Sequence, residues 1–248
     1  MKIVVLTLFP AMFAGPFGES ILGRAQAQGK LAISVVDLRQ FAHDAHRTVD
    51  DYPYGGGAGM VLKAGPLVEA LEWAAGQFGQ RPLTVLPCAQ GRPYGHQVAK
   101  ELAGEPGLVF LCGHYEGVDE RVRAWVDLEL SLGDFVLTGG EIPAMAMVDS
   151  IARLVPGVLG HADSIREESF AHGLLEGPQY TRPADFRGMR VPAVLLGGDH
   201  EAVRRWRRKE ALRRTGLRRP DMLARTVLTY EDRLLLEEIE REVPPVGG

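Results

Sequence analysis

At 248 residues, with 46% hydrophobic and 24% charged content, the chain has enough apolar material for one large domain or a large one plus a small one, and is neither disordered nor fibrous. A net charge of −4 excludes a uniformly basic nucleic-acid binder, so the distribution of charge matters more than its total. Two cysteines, Cys88 and Cys112, are too few for a disulfide scaffold, and the first apolar run stops at Pro10, too early for a signal peptide or a membrane span. The expectation is a soluble, cytoplasmic protein with no membrane partner.

In chain order, residues 2–8 are a continuous β-prone run suited to a buried parallel strand. Residues 11–28 read as a helix closed by Gly29, and residues 31–38 as a second strand. Residues 41–59 have no apolar period and are rich in His, Asp, Tyr and Gly, a long loop of the kind that often carries function. The apolar spacing of Leu67, Val68, Leu71, Ala74 and Ala75 predicts a helix over 66–78 with Pro66 near its start.

Three strand-to-glycine-loop units follow. Residues 83–91 run from Leu83 into a Pro87 to Gly91 loop. Residues 108–117 end in a Gly113/Gly117 turn that carries Tyr115 and Glu116. Residues 131–143 hold Phe135 to Thr138 between Gly133-Asp134 and Gly139-Gly140. That last piece reads either as a short strand between tight turns or as backbone on which a ligand lies directly. In the second reading a β-branched side chain at Gly140 would fill the ligand's space. Helices are expected at 96–102 and 144–154. Strand–helix alternation makes residues 1–160 an α/β domain, with ligands expected at the strand ends. No dinucleotide-binding or P-loop motif occurs.

Residues 161–177 have no sustained period and read as an interdomain linker. Charged helices are expected at 201–214 and 229–242, the latter opening with a Thr229-x-x-Asp232 start. Between Arg204 and Arg219 lie nine basic residues and one acid, Glu210. Such a run is a solvated helical face or a phosphate-binding face, and its single sign favours phosphates, with Arg207 and Arg208 as RNA contacts.

Gly113-His-Tyr-Glu-Gly-Val-Asp-Glu-Arg121, Ser131-Leu-Gly-Asp-Phe-Val-Leu-Thr-Gly-Gly-Glu141 and Val155-Pro-Gly-Val-Leu-Gly160 closely resemble the bacterial tRNA (guanine-N1)-methyltransferase family. That family belongs to the knotted SPOUT class of S-adenosylmethionine-dependent enzymes. Arg47-Thr-Val-Asp-Asp51, Tyr54-Gly-Gly-Gly57, Tyr180-Thr-Arg-Pro183 and Arg218-Arg-Pro-Asp221 fit as well, so the resemblance runs nearly end to end. It implies a parallel sheet with a deep trefoil knot (1–160), a flexible linker (161–177) and a small helical tRNA-binding domain (178–248), assembled as a homodimer. The implied reaction is methylation of N1 of the guanine immediately 3′ of the anticodon. Rival readings are a SPOUT enzyme acting on ribosomal RNA or on a ribose hydroxyl, and a non-catalytic RNA-binding protein.

Carried over residue by residue, the resemblance implies cofactor contacts from three loops. The first supplies Leu86, Pro87, Cys88, Gln90 and Gly91, and the second Gly113, Tyr115 and Glu116. The third supplies Leu132, Gly133, Asp134, Phe135, Val136, Leu137, Gly139 and Gly140, and Pro143 packs against the cofactor. The base position falls in Glu167-Glu168-Ser169-Phe170, where Glu168 replaces the family's aspartate. Arg153 is the implied electrophilic partner, and Asp50 the reader of the preceding guanine. Taken alone, the two glutamates are solvated linker charges, Arg153 is an exposed helix residue, and Asp50 caps a turn before Pro53. His114 stands where the family's pattern has arginine and is assigned no role. The resemblance also implies Mg²⁺ dependence, but no carboxylate pattern marks a metal site, and His43 and His46 lack zinc-ligand company.

Overall fold

Ile3, Val4, Val5 and Leu6 are all fully buried, because β1 (Lys2–Thr7) has a parallel neighbour on each side. The computed structural model describes residues 1–159 and 168–242, and the chain divides into two units, Met1–Gly160 and His161–Gly248. In the first, β2 (Ala32–Asp37), β5 (Leu83–Pro93), β6 (Gly107–Leu111) and β7 (Leu128–Ser131) join β1 in a parallel sheet of order β2-β1-β6-β5-β7. A two-residue pair, β3 (Asp50–Asp51) with β4 (Val61–Leu62), closes the long loop.

The period of two decides which face each strand residue covers. Ile3, Val5, Leu108 and Phe110 pack with Phe17, Leu22, Val98 and Ile151. These come from α1 (Ala14–Gly18), α2 (Ser20–Ala27), α4 (His96–Ala103) and α5 (Glu141–Ala152). Val4, Leu6, Val109 and Leu111 pack on the opposite face with Leu67, Leu71 and Ala74 of α3 (Ala64–Gly76). Covering both faces with helices is what allows an all-parallel sheet to read as unbroken apolar runs.

Two expectations are corrected. The helix expected over 11–28 is a 3₁₀ turn followed by α1 and α2, because Glu19 is extended and Ser20 has φ 53°. Gly23 is needed there, since a Cβ would lie 2.3 Å from the Gly18 carbonyl oxygen. Residues 135–138 form no strand. The third strand is β7, just before them, and its alternation of Leu128 and Leu130 with Glu129 is interrupted before the glycines begin.

The second unit is built on α6 (His200–Arg218), α7 (Pro220–Leu223) and α8 (Tyr230–Glu242) around Leu174, Ala211, Leu212, Leu235 and Ile239. Asp199 caps α6 by accepting from the Glu201 and Ala202 amides at 3.0 Å each. Thr229 and Asp232 form the reciprocal box at the start of α8, at 3.1 and 2.9 Å. Residues 168–177, expected in the linker, are packed into this unit, with Leu174 buried and the Leu175 amide bonded to Thr215 Oγ1 at 2.9 Å. A small hairpin, β8 (Asp185–Phe186) with β9 (Met189–Arg190), turns at Arg187 and Gly188, both with positive φ. Among the described residues, no helix is long and apolar enough to cross a membrane.

Candidate active site

Parallel strands end on the same side of a sheet, so the loops after β6 and β7 and the outer half of β5 come together. They enclose a cavity of about 240 Å³ in the first unit. Of the residues expected to hold a cofactor, Leu86, Pro87, Cys88, Gln90, Gly113, Tyr115, Glu116, Leu132, Gly133, Phe135, Val136, Leu137, Gly139, Gly140 and Pro143 line it. Gly91 and Asp134 do not. Gly91 is pressed onto β7, where a Cβ would lie 2.3 Å from the Leu130 amide nitrogen. β5 continues past the expected loop to Pro93, pairing again with β7 after a shift between Pro87 and Arg92.

The two later loops are fastened by their main chains. The Gly140 amide donates to the Gly113 carbonyl at 2.7 Å, and Gly139 bridges to His114. A Cβ at Gly140 would lie 2.9 Å from Cys112 Cα and 3.0 Å from the Gly113 nitrogen. The approach of two backbones therefore requires the glycine, which also lines the cavity. The turn after Gly113 is held by the Gly117 amide on the His114 carbonyl at 3.0 Å, with Tyr115 at φ 58°. At the rim, Phe135 and Val136 leave 57% and 90% of their surfaces exposed. Apolar groups left in water beside a cavity with glycine walls fit a planar heterocycle held by main-chain atoms.

Two charged groups at the wall carry no role in the sequence reading. Arg123, which lines the cavity, is bonded to Glu129 and, at 2.8 Å, to Glu120. Arg123 holds the Glu129 carboxyl below its ordinary range. The Cys88 thiol donates to Glu129 at 3.1 Å. Burial and then that carboxylate push the thiol up, which makes it a poor nucleophile. The second is Glu141, the first residue of α5 and only 2% exposed. It accepts from Thr7 Oγ1 at 2.8 Å and lies 3.7 Å from His114 Nδ1. The helix N-terminus favours a carboxylate at that position. The only signal for these groups was a charge at an inward place in an apolar pattern.

Arg153 follows the end of α5, its amide on the Asp149 carbonyl at 3.2 Å. Glu168 belongs to the second unit, where it lines a separate cavity with His172, His200, Arg204, Arg207 and Arg208. Glu167 lies outside the described residues. Asp50 stands in β3, half-buried. Much of the basic run is tied to α8. Arg204 meets Glu231 at 2.9 Å, Arg205 meets Glu238, and Lys209 meets Glu238 and Glu242 at 2.9 and 2.6 Å. Arg208 grips Asp232 with two bonds of 2.6 and 2.9 Å. Arg208 thus fastens helices, contrary to its expected role as an open phosphate contact. Both cysteines are free, and no group of three His, Cys, Asp or Glu suited to a metal ion occurs among the described residues.

Known proteins match the chain over nearly its whole length. The sequence profile described as "tRNA (Guanine-1)-methyltransferase TrmD" matches residues 1–225. The chain is 54% identical over 243 residues to a tRNA (guanine-N(1)-)-methyltransferase of Dictyoglomus turgidum, covering 98% of each chain. It is 56% identical over 241 residues to one from Pelotomaculum thermopropionicum (96% of each). With one from Moorella thermoacetica it shares 56% over 243 residues (97% of each).

Proposed function

The chain belongs to the tRNA (guanine-1)-methyltransferase family, and from that premise we propose how its residues move a methyl group to N1 of a tRNA guanine. It is an enzyme, a tRNA (guanine-N1)-methyltransferase. The target in our reading is the guanine immediately 3′ of the anticodon, and the protein works in the cytoplasm as a homodimer. The observation that supports it best is the convergence of three loops on one cavity with an apolar rim and glycine walls.

In that reading the cavity holds S-adenosylmethionine, which supplies an already activated methyl group. The protein's share is then orientation and proton handling. Main-chain groups of residues 86–90, 113–117 and 132–140 would hold the cofactor, and Phe135, Val136 and Leu137 would supply apolar contact. Glu168 accepts the N1 proton, and Arg153 stabilises the negative charge that reaches O6. A placed base of this kind contributes ~10²- to 10⁴-fold. Asp50 accepts from N1–H and the exocyclic amine of the preceding guanine, a pairing only guanine offers. The site is composite, with cofactor loops from one subunit and Glu168 from the other, as a C₂ pair permits. We assign Mg²⁺ no ligands.

The test is transfer of labelled methyl from S-adenosylmethionine to tRNA transcripts that differ at the guanine 3′ of the anticodon, with the product mapped by mass spectrometry. N1-methylguanine at that position is the expected result. Ribose methylation, or tight RNA binding without transfer, would overturn the reading.

A further inference from the structure

Tyr52 and Tyr54 are the two most exposed aromatic residues of the first unit, at 78% and fully exposed. Neither packs on another ring among the described residues. Leaving such rings in water forgoes the burial that aromatic side chains usually supply. Their surroundings are polar: Asp50 and Asp51 precede them and Gly55 to Gly57 follow, all three glycines at positive φ. A surface of this composition lacks the apolar core of a protein–protein contact.

The position of the rings is fixed by the chain. Tyr52 follows β3 directly and precedes Pro53, which disfavours helical backbone before it, so the ring sits two residues beyond Asp50. The far end of the loop is pinned to the cavity wall. The Glu116 amide donates to the Met60 carbonyl at 3.0 Å, and the Leu62 amide to the Gly117 carbonyl at 3.0 Å. The Glu116 side chain lies on Gly59 so closely that a Cβ there would sit 2.4 Å from its Oε1. Two bare rings are thus carried on a loop anchored to the cavity.

We propose that Tyr52 and Tyr54 form a stacking platform for the tRNA nucleobases that flank the target guanine. This rests on the tRNA-substrate reading given above. RNA bases are recognised unpaired and unstacked, with aromatic side chains replacing the neighbours they have lost. Every base has a π-face, so the platform grips without reading sequence, and Asp50 beside it supplies the reading.

The test uses the full-length enzyme and a tRNA transcript carrying 2-aminopurine next to the target guanine. Tyr52→Ala and Tyr54→Ala should each weaken tRNA binding by ~5- to 150-fold and lose the fluorescence quenching that marks stacking. Tyr52→Phe and Tyr54→Phe should stay within about threefold of wild type in the same assay. Cofactor affinity by calorimetry should be unchanged throughout. Wild-type tRNA affinity and quenching in both alanine variants would overturn the proposal. So would phenylalanine variants as weak as the alanine ones, which would mean a hydroxyl contact, or alanine variants that dissociate in sedimentation, which would mean a subunit interface. A wild-type enzyme that leaves guanine N1 unmethylated would instead defeat the substrate reading.

Discussion

The base role we propose for Glu168, one methylene longer than the aspartate the resemblance implies there, makes a definite kinetic demand. Glu168→Gln keeps the shape but cannot accept a proton, so the single-turnover rate should fall by ~10²-fold or more. Affinities for tRNA and cofactor should barely move, because the lost interaction matters in the transition state. Glu168→Asp should remain active, and Glu167→Gln is the control that detects a shift of one residue in the assignment. Gly140 makes a demand of a different kind. A methyl group there meets the backbone of Cys112 and Gly113 at 2.9 and 3.0 Å, so Gly140→Ala should lower stability by about 1–3 kcal/mol, as overpacking does. Gly15→Ala, which meets nothing within 4 Å, should leave the urea midpoint unchanged or slightly raised. An unaltered midpoint for Gly140→Ala would mean that the two segments separate freely.

At the scale of elements, α6 and α8 are joined by opposite charges whose value is uneven. Most of these pairs are exposed and screened by salt. The exception is Asp232, 1% exposed and held down to about 2 by Arg208. Its folded pKa lies below its unfolded one, so its contribution is complete above about pH 4 and is lost as pH falls toward 2. Asp232→Asn should therefore cost about 2–4 kcal/mol at neutral pH, since Arg208 keeps partial hydration when its partner goes. It should also flatten the acid limb of a stability–pH curve. The same pairing leaves other arginines of α6 for the phosphate contacts we propose. Arg214 and Arg218 have no carboxylate partner among the described residues. Replacing either should reduce the log–log salt slope of tRNA binding by ~0.7 to 0.9, whereas replacing Arg205 should leave it unchanged. The sequence displayed the basic run and the acidic tail, but not that they face each other, because that pairing is tertiary. It displayed β1, β2 and β6 clearly, as apolar or β-prone runs, whereas β5 continues past the loop expected at Pro87 to Gly91. Residues 135–138 could be read two ways for a physical reason: their apolar side chains border a cavity, and the pattern of such a rim matches that of a buried strand. The hairpin of β8 and β9 was too short to leave a period. The cavity wall was legible at Gly113, Gly133, Gly139 and Gly140, and illegible at Arg123, which lines it, and at Glu141, which stands behind Gly139.

For the whole molecule, a site shared between subunits can be tested by complementation. Glu168→Gln supplies intact cofactor loops, and Leu137→Asp, placed at the cavity rim, supplies an intact Glu168. Each should be inactive alone. After unfolding and refolding together, random pairing leaves about a quarter of the sites intact if they are composite, and that fraction of wild-type turnover should return. No recovery, with mixed dimers demonstrated by mass spectrometry, would place both groups in one subunit. The meeting of Gly140 with Cys112 and Gly113 also bears on inhibitors. Where Gly113, Gly139 and Gly140 line the cavity its wall is main chain, so a compound bonded there would contact atoms that every amino acid shares. A resistant variant would have to introduce a side chain at a glycine, and at Gly140 the first carbon of any side chain already collides with the neighbouring backbone. Escape from such a compound would run through damage to the fold.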